Sequence, residues 1–216
     1  MILYNPTLFR DRIEAGEKLG QRLRNLQLQD PVVLAVPAGG VPVGKEIARI
    51  LEAPLDLIIA RKIQFPWTTE AGFGAVVADG TIYLGPHAER LPTAVVDAQT
   101  RKARQEVEQR TQDFLRGRPP VELAGKTAIL VDDGLASGST MLAAVKSVKR
   151  RQPKQIVVAA PTASGTAVAL LKPQVDQLVV LYVHPAHLPF AVASSYQNWY
   201  DLSDEEVIAY LEEGPQ

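Results

Sequence analysis

Five short apolar runs, set apart by longer stretches with helical spacing, restrict this chain to one broad architecture. Val32 to Val36, Leu55 to Ala60, Thr127 to Val131, Gln155 to Ala160 and Gln177 to Val183 are apolar at successive positions, not at every second one. A strand with that pattern is covered on both faces, as strands of parallel sheets are. Between the runs, Val41 to Leu51, Pro92 to Leu115, Ser139 to Arg150 and Gly165 to Leu171 read as helices. Strand and helix in turn predict an α/β fold, a parallel sheet layered between helices. In the longest helix Val96, Ala103, Val107 and Phe114 share a face, while Arg101, Lys102, Arg104, Glu106, Glu108 and Arg110 belong mostly to a solvated one. Two pieces fall outside the alternation. Asp79-Gly80 inside AVVADGTIYL predicts a hairpin, and Ser203 with Glu206 forms a capping box ahead of Val207, Ile208 and Leu211, the mark of a short C-terminal helix.

Composition narrows the chemistry. The 216 residues include no cysteine, which removes disulfides, thiol nucleophiles and thiolate metal sites. With Lys+Arg 23 against Asp+Glu 24 the formal net charge is -1, so nucleic acid is not an expected partner. The runs IVVAAP and QLVVLYV are far short of the roughly 20 residues that cross a bilayer, so no membrane association is expected. The charged start MILYNPTLFRDR does not read as a secretory leader. The expectation is a cytoplasmic protein with one domain over residues 1–216: a core over about 32–183, a lid and hairpin over about 61–85, and a C-terminal segment over 184–216. His184 and His187 flank Pro185 with no evident third ligand, which speaks against a metal there, and no GxSxG elbow supports a serine hydrolase.

TAILVDDGLASGSTM, Thr127 to Met141, carries the strongest functional signal. It runs from a strand through two carboxylates into a small-residue loop and then a helix. Strand ends of a parallel sheet face the crevice where ligands bind, which places Asp132 and Asp133 at a site. Gly134, Ala136, Ser137, Gly138, Ser139 and Thr140 let a phosphate approach backbone N–H groups, and the helix start adds free N–H groups and the positive end of its dipole. The carboxylates suit sugar hydroxyls or Mg²⁺. A second loop, VPAGGVPVGKE from Val36 to Glu46, nearly spells a nucleotide-binding P-loop, but Glu46 replaces the needed Ser or Thr and Pro42 lacks an N–H. RKIQFPWTTEAGFG, Arg61 to Gly74, has no sustained period and contains Pro66, Gly72 and Gly74, as a closing loop would. Its Phe65 and Trp67 are candidates for shielding the site or stacking on a base, with packing under the loop as the plain alternative.

The run VDDGLASGST resembles the phosphoribosyl-diphosphate motif of the type I phosphoribosyltransferases, and the similarity in layout covers about Val32 to Val183. A P-x-G-G loop at Pro37 to Gly40, the VDDG motif and the late SDEEV segment look most like a group of small bacterial members. The resemblance implies the three-layer type I fold with a hairpin and lid insertion and a C-terminal helix. It implies transfer of ribose 5-phosphate from phosphoribosyl diphosphate to a nucleobase-like acceptor with release of diphosphate, Mg²⁺ as cofactor, and a homodimer. Asp132 and Asp133 would hold the ribose hydroxyls, with Mg²⁺ held through the substrate and this pair the available protein ligands. Gly134, Leu135, Ala136, Ser137, Gly138, Ser139 and Thr140 would hold the 5′-phosphate. Ala38, Gly39 and Gly40 would form the diphosphate turn, in which the family often has a non-proline cis peptide, with the glycines allowing an unusual backbone.

The chain departs from the pattern at two positions. Related loops commonly carry Arg or Lys where Ala38 stands, so Arg61 and Lys62 are the expected replacements, as catalytic groups on the diphosphate. Members acting on 6-oxopurines commonly have an acid where Ala136 stands, which leaves adenine, orotate, uracil or another acceptor open. The segment Val183 to Tyr200, with Phe190, Tyr196 and Trp199, is a candidate base pocket or simply packing. Both departures keep a second reading in view, a non-catalytic protein that senses phosphoribosyl diphosphate or a nucleotide.

Overall fold

The computed structural model describes residues 7–69 and 71–212, so Glu70 of the expected lid and the first six residues of the charged start lie outside it. The chain begins with a helix, α1 (Arg12–Arg24), and then alternates: β1 (Pro31–Ala35), α2 (Gly40–Leu51), β2 (Leu55–Leu57). Next come three short strands, β3 (Ala60–Gln64), β4 (Gly72–Val77) and β5 (Ile82–Leu84), and the long α3 (Thr93–Leu115). Alternation resumes with β6 (Thr127–Val131), α4 (Ser139–Lys149), β7 (Gln155–Ser164), α5 (Gly165–Leu171), β8 (Gln177–His184) and finally α6 (Asp204–Glu212).

The five expected runs form one sheet in the order β2-β1-β6-β7-β8, all parallel. Successive residues of each strand bury themselves on opposite faces, which is why the runs read as continuously apolar. Val33, Ile129, Val131, Val157 and Ala159 pack with Leu19 and Leu23 of α1 and Val43 and Ile47 of α2. Val32, Leu34, Leu130, Val158 and Ala160 pack on the other face with Met141, Leu142 and Val145 of α4 and Ala167 and Leu171 of α5. The result is three layers. Among the described residues, no helix is long and apolar enough to cross a membrane.

Strands β3, β4 and β5 make a separate antiparallel sheet, with the hairpin turned at Asp79-Gly80 as expected. Gly80 takes a φ of 83°, and the Asp79 carboxylate accepts the N–H of Thr81. The run Leu55 to Ala60 is not one strand. Ile58 still donates to the carbonyl of Ala35, while the carbonyl of Ile59 accepts from Ala78, so the chain changes sheets between them. Half of the segment read as an open loop from Arg61 to Gly74 belongs to β3 and β4, and the loop itself is the connection between Gln64 and Gly72. The period of the strands is hidden because they are covered by α3 on one side and α4 on the other, and because close approach requires glycine: a Cβ at Gly74 would lie 2.4 Å from the carbonyl oxygen of Tyr83.

Helix α1 has no counterpart among the expected elements. Asp11 and Glu14 nevertheless spell its capping box, with the N–H of Glu14 on Asp11 at 2.9 Å and the N–H of Arg10 on Glu14 at 2.5 Å. Its Gly16 and Gly20 let it approach α2 closely, since a Cβ at Gly16 would lie 2.9 Å from the carbonyl oxygen of Val43. At the other end, the Ser203–Glu206 capping box closes reciprocally ahead of α6.

Candidate active site

Strand β6 ends at Val131 and delivers the two carboxylates above the sheet, next to the cis peptide between Pro37 and Ala38 that the resemblance implied. The glycine loop packs directly on the pair. A Cβ at Gly39 would lie 1.9 Å from a carboxylate oxygen of Asp133, and one at Gly40 would lie 2.7 Å from the carbonyl of Val131. Gly39 itself has an ordinary helical backbone, φ -61° and ψ -30°. Glycine is needed there for room beside the acids, not for an unusual backbone, which corrects the expectation. Gly40 and Val41 already donate their N–H groups to Val36 and Ala38 within the loop.

A cleft of ≈ 390 Å³ opens on the other side of the motif, lined by Asp132, Gly134, Leu135, Ala136, Ser137, Gly138, Thr140 and Met141 of the strand, loop and helix, and by Lys62, Ala71 and Gly72 of the antiparallel sheet. Ser139 is the first residue of α4 and sits in the same turn. Helix α4 starts without a side-chain cap, because Gly138 occupies the cap position at φ 77°. The two acids therefore do not cap it, and among the loop hydroxyls that of Ser137 accepts the N–H of Ser139 at 3.3 Å. Bulk is absent where an anion would meet the helix start, and Ser137 and Ala136 are exposed at the cleft. The loop is fixed from below: Leu135 exchanges backbone hydrogen bonds with Thr162 and Ser164, and the Ser164 hydroxyl donates to the carbonyl of Ala136 at 2.6 Å.

The two acids are not equivalent. Asp132 lines the cleft, and its carboxylate accepts the N–H of Asp133 at 2.9 Å. Burial and the adjacent Asp133 charge push its carboxyl well above the usual range. Asp133 is turned inward, 8% exposed, and its Oδ2 accepts Nε of Arg12 at 2.8 Å. Burial raises the Asp133 carboxyl as well, with the Arg12 cation working against that rise.

The two cations expected at the diphosphate separate. Neighbours on a strand face opposite sides. Lys62 reaches the cleft, whereas Arg61 lies on the α3 side, paired through Nε and Nη2 with Glu106 at 3.0 and 2.8 Å. The expectation is thus corrected for Arg61. Gly39 and Gly40 pack against the acidic pair and Ala38 packs toward the α3 cluster, so none of the three is in the wall of this cleft. Phe65 and Trp67 stack on each other at 5.1 Å, with Phe65 against Phe73, also on the α3 side.

The aromatic residues near the C-terminus are engaged in packing. Phe190 lies 4.4 Å from His184, Tyr196 donates its hydroxyl to the carbonyl of Asp133 at 2.5 Å, and Trp199 stacks under Arg12 at 4.0 Å. Among the described residues no cluster of three or more metal-ligating side chains occurs.

Against known proteins, the model of the phosphoribosyl transferase domain matches residues 10–173. Over 208 residues, 95% of the chain, it is 40% identical to a Mycobacterium tuberculosis protein provisionally named a phosphoribosyl transferase. That match takes up 46% of the mycobacterial protein, so the chain spans about half the length of the curated relatives it matches. A Thermus thermophilus protein of known crystal structure superposes with a TM-score of 0.78 at 37% identity, covering 95% of this chain and 98% of that one. An Aquifex aeolicus protein of known structure, 13% identical, shares the fold at a TM-score of 0.53 over 81% of this chain and 74% of its own. The matched stretch runs from just before α1 through α5 and contains the acidic pair, the glycine loop and the uncapped helix start; the chain belongs to the phosphoribosyl transferase domain family.

Proposed function

We propose that the protein transfers the ribose 5-phosphate group of phosphoribosyl diphosphate to a nucleobase-like acceptor, releasing diphosphate. The observation that carries this is the cleft in which one carboxylate, Asp132, meets the uncapped start of α4 across a loop of small and hydroxyl residues. A phosphate fits the helix end, where backbone N–H groups and the hydroxyls of Ser137, Ser139 and Thr140 donate. Asp132, a few residues upstream, is suited to accept the hydroxyls of the attached ribose. Lys62, across the cleft, suits the diphosphate.

The donor set fits Mg²⁺ in the way that ion usually binds, through one carboxylate plus substrate oxygens and water, with no cage of side chains needed. Asp132 would hold it, and when bound it supplies positive charge against the diphosphate. Bond breaking at C1 of the ribose builds cationic character on the sugar, so the chain's own residues act by orientation and by stabilising the leaving charge. Ala136 offers no acid to the acceptor, which favours acceptors that need no proton removed there.

The test incubates the protein with Mg²⁺, phosphoribosyl diphosphate and a panel of nucleobases, following diphosphate release, and in parallel measures binding of phosphoribosyl diphosphate by calorimetry. Release with at least one base is expected, together with loss of at least tenfold in rate for Lys62→Ala. Binding with no release for any base assigns the sensing role instead, and absence of binding overturns the assignment of the cleft.

A further inference from the structure

The motif's second acid is coupled to both ends of the described chain through a residue that the motif does not contain. Arg12, the first residue of α1, is 7% exposed. Its Nε donates to Asp133 at 2.8 Å, its Nη1 donates to the carbonyl of Tyr200 at 2.9 Å, and its guanidinium carbon lies over the Trp199 ring, 4.0 Å from the centroid. Tyr196, in the same C-terminal segment, donates to the backbone carbonyl of Asp133 at 2.5 Å. The carbonyl of Ser195 accepts the N–H groups of Leu8 and Phe9, so the segments before α1 and after β8 are tied to each other beside the site. On its other flank Asp133 leaves no room for a side chain at Gly39.

Asp133 is thus hemmed in by Arg12, Tyr196 and the glycine loop and is 8% exposed, while Asp132 is the member of the pair that lines the cleft. We propose that Arg12 is a positioning residue of the site: it holds Asp133 as a buried, neutralised abutment for the glycine loop, and leaves the contact with the phosphoribosyl group to Asp132. This rests on the phosphoribosyl diphosphate reading above. The division of labour has an electrostatic reason. An anionic ligand would be repelled by two adjacent carboxylates of full charge, and pairing one with a cation that cannot deprotonate removes half of that repulsion without supplying a cation to the cleft. A guanidinium also fits the place better than an ammonium, because it donates in two directions and stacks on Trp199 at the same time.

The experiment measures the affinity for phosphoribosyl diphosphate in excess Mg²⁺, and the melting temperature without ligand, for wild type, Asp132→Asn, Asp133→Asn, Arg12→Gln, Arg12→Lys and the double variant Arg12→Gln with Asp133→Asn. Arg12→Gln leaves Asp133 buried and unpaired, and is expected to weaken binding about tenfold, Arg12→Lys less. Adding Asp133→Asn to Arg12→Gln removes the orphaned charge and should restore affinity to within about threefold of wild type, whereas Asp132→Asn abolishes it. If the double variant binds as weakly as Asp132→Asn, Asp133 is itself a ligand of the sugar and the proposal falls. A lowered melting temperature in Arg12→Gln with unchanged affinity also overturns it, since the pair would then be structural only. Should Arg12→Gln fail to fold, the comparison of the double variant with Asp132→Asn decides alone. Failure of the wild type to bind overturns the functional reading instead, and is seen before any variant is compared.

Discussion

A single methyl group at position 39 is enough to probe how firmly the acidic pair is seated. Gly39 has a backbone that alanine adopts without strain, yet the added Cβ would stand 1.9 Å from Asp133 Oδ2, so the carboxylate must leave its place on Arg12. Breaking a buried ion pair costs about 3 kcal/mol or more, and Gly39→Ala is expected to lower the melting temperature by roughly 6–12 °C. Gly80→Ala is the contrasting case. Nothing lies within 4 Å of its Cβ, and only the φ of 83° is unfavourable, so about 1 kcal/mol, or roughly 2–4 °C, is expected. Equal losses in thermal unfolding would mean that Asp133 can step aside. At Asp132 the direction reverses. Its carboxylate is held beside another and partly removed from water, which serves a ligand and not the fold. Asp132→Asn should therefore raise the melting temperature of the ligand-free, metal-free protein by about 2–4 °C while abolishing phosphoribosyl diphosphate binding; a fall in stability would show that the carboxylate is structurally required.

The elements are legible from sequence where burial is symmetrical, and obscure where a segment serves two neighbours. The five central strands and α2 to α5 lie within a residue or two of their expected positions, apart from β2, which stops at Leu57, and β7, which runs on past Pro161 to Ser164. Both faces of β1, β6 and β7 are buried by helices, and continuous apolarity records that, while the edge strand β8 is apolar but only half-buried. The antiparallel sheet is half visible: Asp79-Gly80 marks its hairpin, but β3 carries Arg61 and Lys62 to opposite sides for different purposes, which no periodicity expresses. Helix α1 escapes the sequence reading because its buried face is built partly of Gly16 and Gly20, residues that usually argue against a helix. The capping box at Asp11 and Glu14 is the available signal. Asp11→Ala should remove about 1 kcal/mol, a fall of roughly 2–4 °C on thermal unfolding, and the loss should be accompanied by weaker binding, because α1 begins at Arg12. The equivalent change at the α6 box, Ser203→Ala, should cost similar stability and leave binding unchanged, since that helix packs on α2 and α3 away from the cleft.

On the scale of the molecule, the site's chemistry can be read from one segment and its enclosure cannot. VDDGLASGST announces an acid, a small loop and a helix start in sequence order, and the structure keeps them contiguous. Arg12 and Tyr196 reach Asp133 from the two ends of the described chain, with Trp199 stacked on Arg12, a proximity that only the fold creates. That enclosure should respond to pH through His184. The ring ends β8, is 6% exposed, and lies against Tyr182, Phe190 and the hydroxyl of Ser195, whose backbone carbonyl holds Leu8 and Phe9. Burial holds its pKa below the ordinary value of 6.5. Between the folded and unfolded values the unfolded chain binds more protons, so stability rises with pH across that window. His184 therefore contributes its full share above pH 6.5, and loses it as the pH falls toward and through the depressed folded value. In melting curves taken from about pH 8 down to about pH 5, the wild type should lose stability below about pH 6.5 more steeply than His184→Gln, whose neutral amide cannot take up the proton. Parallel curves would mean that His184 titrates alike in the folded and unfolded chain, and that the tie between the two ends of the described chain is indifferent to pH.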